Sequence, residues 1–332
     1  MIQVYLYTNE FQTEVSQRIR STILGIRDRF DLNLNEINVP PGHWLNDNLP
    51  TQFPQLKIGS FTVTDALSST AIEDTLGRAQ EYLRFSTDRG EQSAVDSLIK
   101  PILLTASDRV SLWFSRSYVW FFGLLVLIYV GLPLLAPVLM KTGYPDSANV
   151  IYRVYRVSCH QLGFRSFYLF GDQVAYPREL AGIDGLNTFE EVSGLPEDDL
   201  HAASAFLGNE TLGYKVALCQ RDMAIYGSIL LFVIIFILRK RRTKAVPWFL
   251  WLVLALVPIG LDGVSQLVSQ MELPMLGWLA MRESTPFLRV LTGFFFGWFT
   301  AWYAFPTIEE SLNTHRIQLE LKALASRQLR SN

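Results

Sequence analysis

The stretch LCQRDMAIYGSILLFVIIFILRKRRTK, residues 218–244, combines a polar start, an apolar middle and a basic end. Its middle, residues 223–238, is apolar enough to lie in a bilayer, although it is shorter than the roughly 20 residues of a typical span. Four polar or reactive side chains precede this middle: Cys219, Gln220, Arg221 and Asp222. Charged side chains are costly inside a bilayer, and they usually face a bundle interior or a cavity. The stretch therefore predicts a membrane span that carries a polar site at one end.

The composition of the whole chain agrees with a membrane protein that also has a soluble part. Of the 332 residues, 49% are hydrophobic and 18% are charged, and the mean hydropathy is +0.19. The long apolar runs follow residue 117, whereas residues 1–110 have the mixture typical of a soluble domain. The formal net charge of -2 gives no indication of a nucleic-acid partner. We expect the lipid bilayer to be the main partner of the C-terminal part.

Four segments of the chain are predicted to span the membrane. They are residues 117–140, 223–238, 246–268 and 287–305. A further segment, residues 148–161, carries two arginines and is predicted to lie at the membrane interface. This pattern predicts four parts: a soluble domain (residues 1–85), a linker with an interfacial amphipathic helix (86–116), an all-α membrane domain (117–306) and a helical, mixed-charge tail that is solvated or lies on a surface (307–332).

The basic loop RKRRTK, residues 239–244, predicts the orientation of these spans. Cytoplasmic loops carry an excess of lysine and arginine, so the end of the second span and the start of the third are placed in the cytoplasm. The chain opens with MIQVYLYTNEF, which is strand-like and does not have the form of a secretory signal. We therefore expect a plasma-membrane protein with a cytoplasmic N-terminal domain and tail, and with residues 141–221 outside.

This orientation brings polar side chains from four separate stretches to the outer end of the predicted bundle. They are Cys159, His160, Gln161 and Arg165 in the outer segment; Cys219, Arg221 and Asp222 at the second span; Asp262 and Gln266 at the third; and Arg282, Glu283, Ser284, Thr285 and Arg289 at the fourth. Each of these residues alone is explained by interhelical ion pairing or by helix capping. As a set, they predict a functional site at the outer face.

The N-terminal residues 1–85 read as a strand, a helix, a strand, a proline-led hairpin and a helix. This order resembles the thioredoxin-like fold of the glutaredoxin type, and Phe53-Pro54 lies where that family places its cis-proline. The redox Cys-x-x-Cys of the family would fall near residues 9–13, which contain no cysteine. Without a thiolate, thiol–disulfide exchange cannot occur in this domain. The resemblance therefore implies an α/β domain that is kept for binding or stability.

The membrane half resembles an uncharacterised family of prokaryotic membrane proteins, domain of unknown function 2085. The resemblance covers approximately residues 150–300 and rests on SCHQ, RSF, CQRDMAIYGS, PIGLDGVSQ and REST-PFLR-LTG. It implies membership of that family and no particular activity. Its signature positions here are the polar residues named above for the outer end of the bundle, together with Gln220, Gly263 and Gly293.

The first chemistry that this set permits is recognition of an anionic headgroup. Arginines supply forked N–H groups that suit a phosphate or a pyrophosphate. The predicted ligand-binding residues are Gln161, Arg165, Arg221, Gln266, Arg282, Ser284, Thr285 and Arg289. Asp222, Asp262 and Glu283 are the predicted catalytic acids and bases. An anionic, phosphate-bearing lipid or small molecule is the expected partner, and the alternative is structural pairing of the arginines with these acids.

The second chemistry concerns the two cysteines. Cys159 and Cys219 are the only cysteines in the chain, so they can form one disulfide in an oxidising compartment. With His160 and either Asp222 or Asp262 they could instead bind zinc, since all these side chains are zinc ligands. Both alternatives stay open, because the spacing is not diagnostic of a metal site. A third hypothesis is a non-enzymatic structural or transport subunit. The lack of a visible inverted repeat in the sequence argues against a transporter.

The predicted orientation can be tested with a membrane-impermeant thiol reagent on intact cells. After mild reduction the reagent should label Cys159 or Cys219 wherever either is solvent-exposed, because both are predicted outside. A cysteine introduced into residues 239–244 should not react, since that loop is predicted to be cytoplasmic. Labelling of the introduced cysteine in intact cells would overturn the orientation.

Overall fold

The computed structural model describes residues 1–48, 54–59, 61–271 and 281–331. The chain divides into two units. The first unit comprises Met1–Arg116 and Leu312–Asn332, and the second comprises Ser117–Ser311. The first unit therefore contains both ends of the chain.

The first unit is built on a mixed four-stranded sheet with the strand order β2-β1-β3-β4. Its elements along the chain are β1 (Ile2–Thr8), α1 (Thr13–Ile26), β2 (Leu32–Asn38), α2 (Trp44–Asn48), β3 (Gln55–Ile58), β4 (Phe61–Thr62), α3 (Ser69–Asp88) and α4 (Gln92–Ile99). β1 pairs in parallel with β2 and antiparallel with β3, so that Val4 lies opposite Leu34 on one side and Ile58 on the other. β4 pairs antiparallel with β3. The N-terminal region is therefore α/β, as predicted.

The predicted linker is largely helical. Residues 86–116, predicted as a linker with an interfacial helix, contain the end of α3, all of α4 and the start of α5 (Ala106–Lys141). Leu98 of α4 is fully buried in the same core cluster as Ile19 of α1, so α4 is part of the core. Phe53 of the predicted cis-proline dipeptide lies outside the described residues.

The second unit consists of long helices and a small three-stranded sheet. Its elements are most of α5, α6 (Pro145–Tyr155), β5 (Ser166–Leu169), α7 (Phe189–Ser193), α8 (Leu200–Ala205), β6 (Gly208–Asn209), β7 (Gly213–Cys219), α9 (Gln220–Leu238), α10 (Trp248–Trp251), α11 (Val257–Gln270) and the first part of α12 (Pro286–Ser331). A π-helical turn, Leu252–Leu256, joins α10 and α11 into one helix. The strands pair antiparallel in the order β5-β7-β6, which corrects the prediction of an all-α domain.

Among the described residues, three helices are long and apolar enough to cross a membrane: Ala106–Lys141, Gln220–Leu238 and Trp248–Gln270. They contain the first two predicted spans and residues 248–268 of the third. The fourth predicted span, residues 287–305, forms the first part of α12, which is not one of these three helices. Arg289 and several tryptophan and tyrosine side chains make that segment less apolar than the others. The structure thus shows three candidate spans where the sequence predicts four.

Close packing of α9 against α12 depends on two glycines in the stretch GFFFG, residues 293–297. A Cβ atom on Gly293 would lie 2.6 Å from the Arg221 carbonyl oxygen, and one on Gly297 would overlap the Ile225 carbonyl oxygen. Small residues at four-residue spacing let the backbones of membrane helices approach each other closely. This contact places the start of α9 beside the start of α12, where the predicted polar residues lie.

The last part of α12 packs on the sheet of the first unit. Successive side chains of a strand point to opposite faces, so Tyr5 and Tyr7 of β1 share the face turned away from α1. There they are buried in one cluster with Leu321 and Ala325 of α12. Residues 307–332 are predicted as a solvated or surface-lying tail, and this burial corrects that prediction for the apolar side of the helix.

Gly297→Ala should destabilise the second unit, because the added Cβ would meet a backbone carbonyl that cannot move without a shift of α9. Overpacking of this kind costs about 1–3 kcal/mol and should lower the midpoint of thermal unfolding in detergent. Gly227→Ala, on α9 itself, is the matched control, because nothing lies within 4 Å of its added Cβ. Equal midpoints for the two variants would argue against the close helix contact.

Candidate functional site

A network of arginines and carboxylates lies where α9 begins, α11 ends and α12 begins. Its most buried members are Asp262, with 7% of its surface exposed, and Glu283 and Arg289, each with 3% exposed. The other members are three arginines: Arg165, Arg221 and Arg282. These six residues are called the arginine network below.

Asp262 on α11 binds two of these arginines. Its Oδ1 accepts a hydrogen bond from Arg282 Nη2 at 2.9 Å, and its Oδ2 accepts one from Arg221 Nη2. The Ser284 hydroxyl also donates to Oδ2, at 2.7 Å. Arg282 is held further by the Ser265 hydroxyl oxygen, 3.0 Å from its Nη1. The carboxylate thus links α9, α11 and the segment that precedes α12.

Glu283 binds the other two arginines. Arg165 donates to both carboxylate oxygens, from Nε at 2.8 Å and from Nη2 at 3.1 Å. Arg289 donates to Oε1, and the Gln270 amide donates to Oε2 at 3.3 Å. Arg289 also donates to the Phe164 carbonyl oxygen at 3.3 Å. The bidentate contact with Arg165 is the strongest form of such pairing. It links the chain before β5 to the segment that precedes α12.

The network contains more positive than negative charge. Its four arginines face two carboxylates, which leaves a formal excess of two positive charges. The Nε of Arg221 is buried and makes no hydrogen bond with the described residues. Buried charge without a counterion is costly, so this composition favours the presence of an anion.

The two carboxylates act here as acceptors for the arginines. Every oxygen of Asp262 and Glu283 accepts at least one hydrogen bond from an arginine. This geometry favours a positioning role for both residues over the predicted role in acid–base catalysis, because neither presents a free oxygen to a substrate.

Three of the arginines remain accessible from outside the network. The side chains of Arg165, Arg221 and Arg282 keep 34%, 24% and 36% exposure, whereas that of Arg289 keeps 4%. Arg165 also lines a cavity of about 570 Å³, together with His160. A ligand in this cavity can therefore reach the network through Arg165.

The neutral residues predicted for the site have several different roles. Ser284 belongs to the contacts of Asp262, as described above. Thr285 caps the start of α12, because its hydroxyl oxygen accepts the Leu288 N–H at 3.2 Å. Gln266 is buried on α11. Gln161 donates from its amide nitrogen to two backbone carbonyls, at 2.9 and 3.0 Å, and so has a structural role away from the arginines.

The two cysteines lie together at the start of α9, beside Asp222. The ligand atoms of Cys159, Cys219 and Asp222 all lie within 4.8 Å of one another. Both cysteines are free thiols, and the hydrogen bond between them lowers the pKa of Cys159 to about 7 and raises the pKa of Cys219. His160, predicted as a metal ligand, is exposed and lines the cavity beside Arg165. Of the predicted zinc ligands, Cys159, Cys219 and Asp222 therefore lie together.

A buried lysine in this region was not predicted. Lys215 on β7 is fully buried, and its Nζ donates to the carbonyl oxygens of Gln161 and Ser204, each at 2.7 Å. Burial lowers the pKa of Lys215 to about 7. Gln161, whose carbonyl oxygen accepts one of these hydrogen bonds, has a φ of 53°, which is uncommon for a residue other than glycine. The signal that could have indicated this lysine is its position within the otherwise apolar strand GYKVALC.

One family model matches part of the chain. Residues 210–303 match the family described as "Predicted membrane protein (DUF2085)", which confirms the resemblance for this segment. An uncharacterized protein of Methanocaldococcus jannaschii is 26% identical over 163 residues, which cover 49% of this chain and 70% of that protein. No solved structure matches the chain significantly, so the thioredoxin-like assignment of residues 1–85 is not confirmed. The matched family segment contains all of the arginine network except Arg165.

Glu283→Gln should strongly destabilise the protein. The change leaves the buried Arg289 without its anionic partner, and breaking a buried ion pair in this way costs about 3–5 kcal/mol. The thermal unfolding midpoint of the detergent-purified chain should therefore fall. Glu210→Gln makes the same chemical change at an exposed position and should leave the midpoint unchanged. An unchanged midpoint for Glu283→Gln would contradict the pairing.

Proposed function

We propose that this chain is a multi-pass membrane protein that binds an anionic, phosphate-bearing ligand through its arginine network. The observation that carries the proposal is the excess of positive charge. Four arginines share two carboxylates, and the buried Nε of Arg221 has no hydrogen-bond partner among the described residues. A bound anion would stabilise such an excess where water is scarce.

Arginine suits the recognition of phosphate because its planar guanidinium offers several N–H groups in a fixed fork. Asp262 and Glu283 orient these forks before a ligand arrives, which reduces the entropy lost on binding. Three arginines are only partly covered, so each retains N–H groups that a phosphate oxygen can reach: Arg165, Arg221 and Arg282.

The cavity beside Arg165 supports a ligand that has both a charged and an apolar part. Its lining includes Arg165, Arg178 and His160 as well as three leucines. Glu197 and Asp198 also line it, and Arg178 pairs with Glu197 at 2.9 Å. A mixture of apolar walls and a few polar groups is typical of small-ligand sites. A lipid headgroup and a soluble phosphate compound share this chemistry, and a membrane protein encounters the lipid at far higher local concentration.

The two chain segments of the first unit support four membrane crossings. We place Met1–Arg116 and Leu312–Asn332, which belong to one unit, on the same side of the membrane. This placement requires an even number of crossings, and in this arrangement residues 287–305 of α12 supply the fourth. The basic residues 239–244 then support a cytoplasmic first unit and an arginine network at the outer face.

The strand order of the first unit supports a thioredoxin-like fold. The order β2-β1-β3-β4, with β1 parallel to β2 and antiparallel to β3, agrees with the element order from which the resemblance was inferred. Residues 9–13, where the cysteine pair of that family would fall, contain no cysteine. We assign this unit a binding or structural role, because thiol exchange requires a thiolate.

A structural or transport subunit is the second candidate function. One observation favours it: both carboxylates of the network are already fully engaged by arginine, serine and glutamine side chains. A network that is paired in this way can join helices without binding a ligand. The two candidates differ at Arg221. A bound ligand gives its buried Nε a hydrogen-bond acceptor, whereas a purely structural network leaves this Nε without a partner among the described residues.

Binding of inorganic pyrophosphate to the full chain in detergent, measured by calorimetry, tests the proposal. Arg221→Gln and Arg282→Gln should each weaken binding about 10- to 100-fold, since a hydrogen bond to a charged group contributes about 1.5–3 kcal/mol. Arg153→Gln, an exposed arginine on α6, is the matched control and should leave the affinity unchanged.

Native mass measurements on the chain in nanodiscs distinguish the two sources of phosphate. Retention of phosphatidylglycerol over phosphatidylcholine, lost in Arg221→Gln, would identify a lipid headgroup as the ligand. Pyrophosphate binding without lipid retention would identify a soluble ligand. Equal binding of both probes by the arginine variants and the unaltered chain would contradict the proposal and favour the structural role.

A further inference from the structure

A second cluster, formed by Cys159, Cys219 and Asp222, has no role in the anion site. Its two sulfurs and a carboxylate oxygen lie within 4.8 Å of one another. Cysteine and aspartate are both zinc ligands, and Zn–S bonds of about 2.3 Å in a tetrahedral site place the ligand atoms roughly 3.8 Å apart. The observed separations are therefore within about 1 Å of those in a bound site.

The backbone holds these three residues in fixed positions. Cys219 ends β7 and is the N-cap of α9, where its sulfur accepts the Asp222 N–H at 3.5 Å. Asp222 therefore lies in the first turn of α9, on the side of Cys219. Cys159 follows α6, and its own N–H donates to the Tyr155 carbonyl oxygen at 2.9 Å. Cys219 and Asp222 thus lie on regular elements, which position ligands more accurately than loops do.

The surroundings of the Cys159 sulfur restrict the access of water to a bound metal. The hydrophobic shell around a metal site controls its solvent access and local dielectric. Cys159 is only 7% exposed and belongs to an apolar cluster with Tyr152 and Tyr155, which limits the access of water.

Asp222 differs from the other two carboxylates in this part of the chain. Asp262 and Glu283 each accept hydrogen bonds from two arginines. Within the part of the chain that the structure describes, the Asp222 carboxylate accepts no hydrogen bond and forms no ion pair. It lies beside two sulfurs with its oxygens free, which is the arrangement that a cation requires.

The geometry points to a metal site in which Cys159, Cys219 and Asp222 bind one divalent ion of the zinc class. On binding, each thiol releases its proton to solvent and forms a sulfur–metal bond, while the carboxylate stays anionic. Two protons leave and one divalent cation enters, so the net charge of the cluster does not change. The ion therefore adds no positive charge beside the arginine network. Three protein ligands leave one tetrahedral position open, as in catalytic zinc sites.

Titration of the reduced full chain with cobalt(II) in detergent tests this site. Cobalt reports thiolate ligands through sulfur-to-metal charge-transfer absorption, and elemental mass spectrometry counts zinc per chain. We expect one ion per chain and a charge-transfer band that falls by about half or more in Cys159→Ser and in Cys219→Ser. Asp222→Asn, which keeps the size of the side chain, should weaken cobalt binding about tenfold or more. His160→Ala should leave the cobalt affinity unchanged.

Three results would overturn the proposal: a reduced chain that binds no cobalt, a band that survives in Cys219→Ser, and cobalt affinity that falls in His160→Ala but not in Asp222→Asn. A chain isolated lighter by two hydrogens that binds no zinc or cobalt after reduction would identify a structural disulfide instead. Asp222→Asn keeps the test decisive if the serine variants do not fold.

Pyrophosphate binding by the same variants, measured in metal-free buffer, separates this site from the anion site. Asp222→Asn should lose cobalt affinity and retain pyrophosphate affinity, whereas Arg282→Gln should show the reverse. Loss of both affinities in both variants would argue against two separate sites.

Discussion

The pairing of Glu283 with Arg165 and Arg289 is the interaction on which the second unit depends. Glu283 and Arg289 are almost fully buried, and an unpaired charge in such a place is among the costliest defects that a membrane protein can contain. Because Arg165 precedes β5 and Glu283 precedes α12, the pairing fixes the small sheet against the last helix. The start of α9 is held beside the start of α12 separately, by the glycine contact at Gly293 and Gly297.

The ratio of arginines to carboxylates distinguishes this network from a simple set of interhelical ion pairs. A scaffold is most stable when opposite charges balance, because each buried excess charge retains its desolvation penalty. Here Asp262 and Glu283 each hold two arginines, and most of these arginines are also partly exposed. The carboxylates therefore fix the direction of the guanidinium groups and leave part of their charge uncompensated. That combination is typical of a preorganised anion site.

The six residues of the arginine network are all among the polar residues named from the sequence, because the order of the apolar segments brings the ends of three helices together. The sequence could not predict the pairing, since Arg165 and Glu283 are 118 residues apart and the choice of partner depends on helix rotation. His160 lines the cavity beside Arg165 although Cys159 faces Cys219, because neighbours in sequence often point in different directions. The packing of α12 on Tyr5 and Tyr7 was missed because its mixed-charge pattern is also typical of a solvated helix.

The polar turn that opens α9 follows from the number of elements that meet there. Successive residues of an α-helix are rotated by about 100°, so adjacent side chains in this turn reach different neighbours. The turn comprises Cys219, Gln220, Arg221 and Asp222. The first side chain contacts Cys159, the second donates to the Ser166 carbonyl at 3.0 Å, the third binds Asp262, and the fourth faces the two sulfurs. One inserted residue would rotate every later side chain away from its partner, which explains why polar residues are concentrated here while the rest of α9 stays apolar.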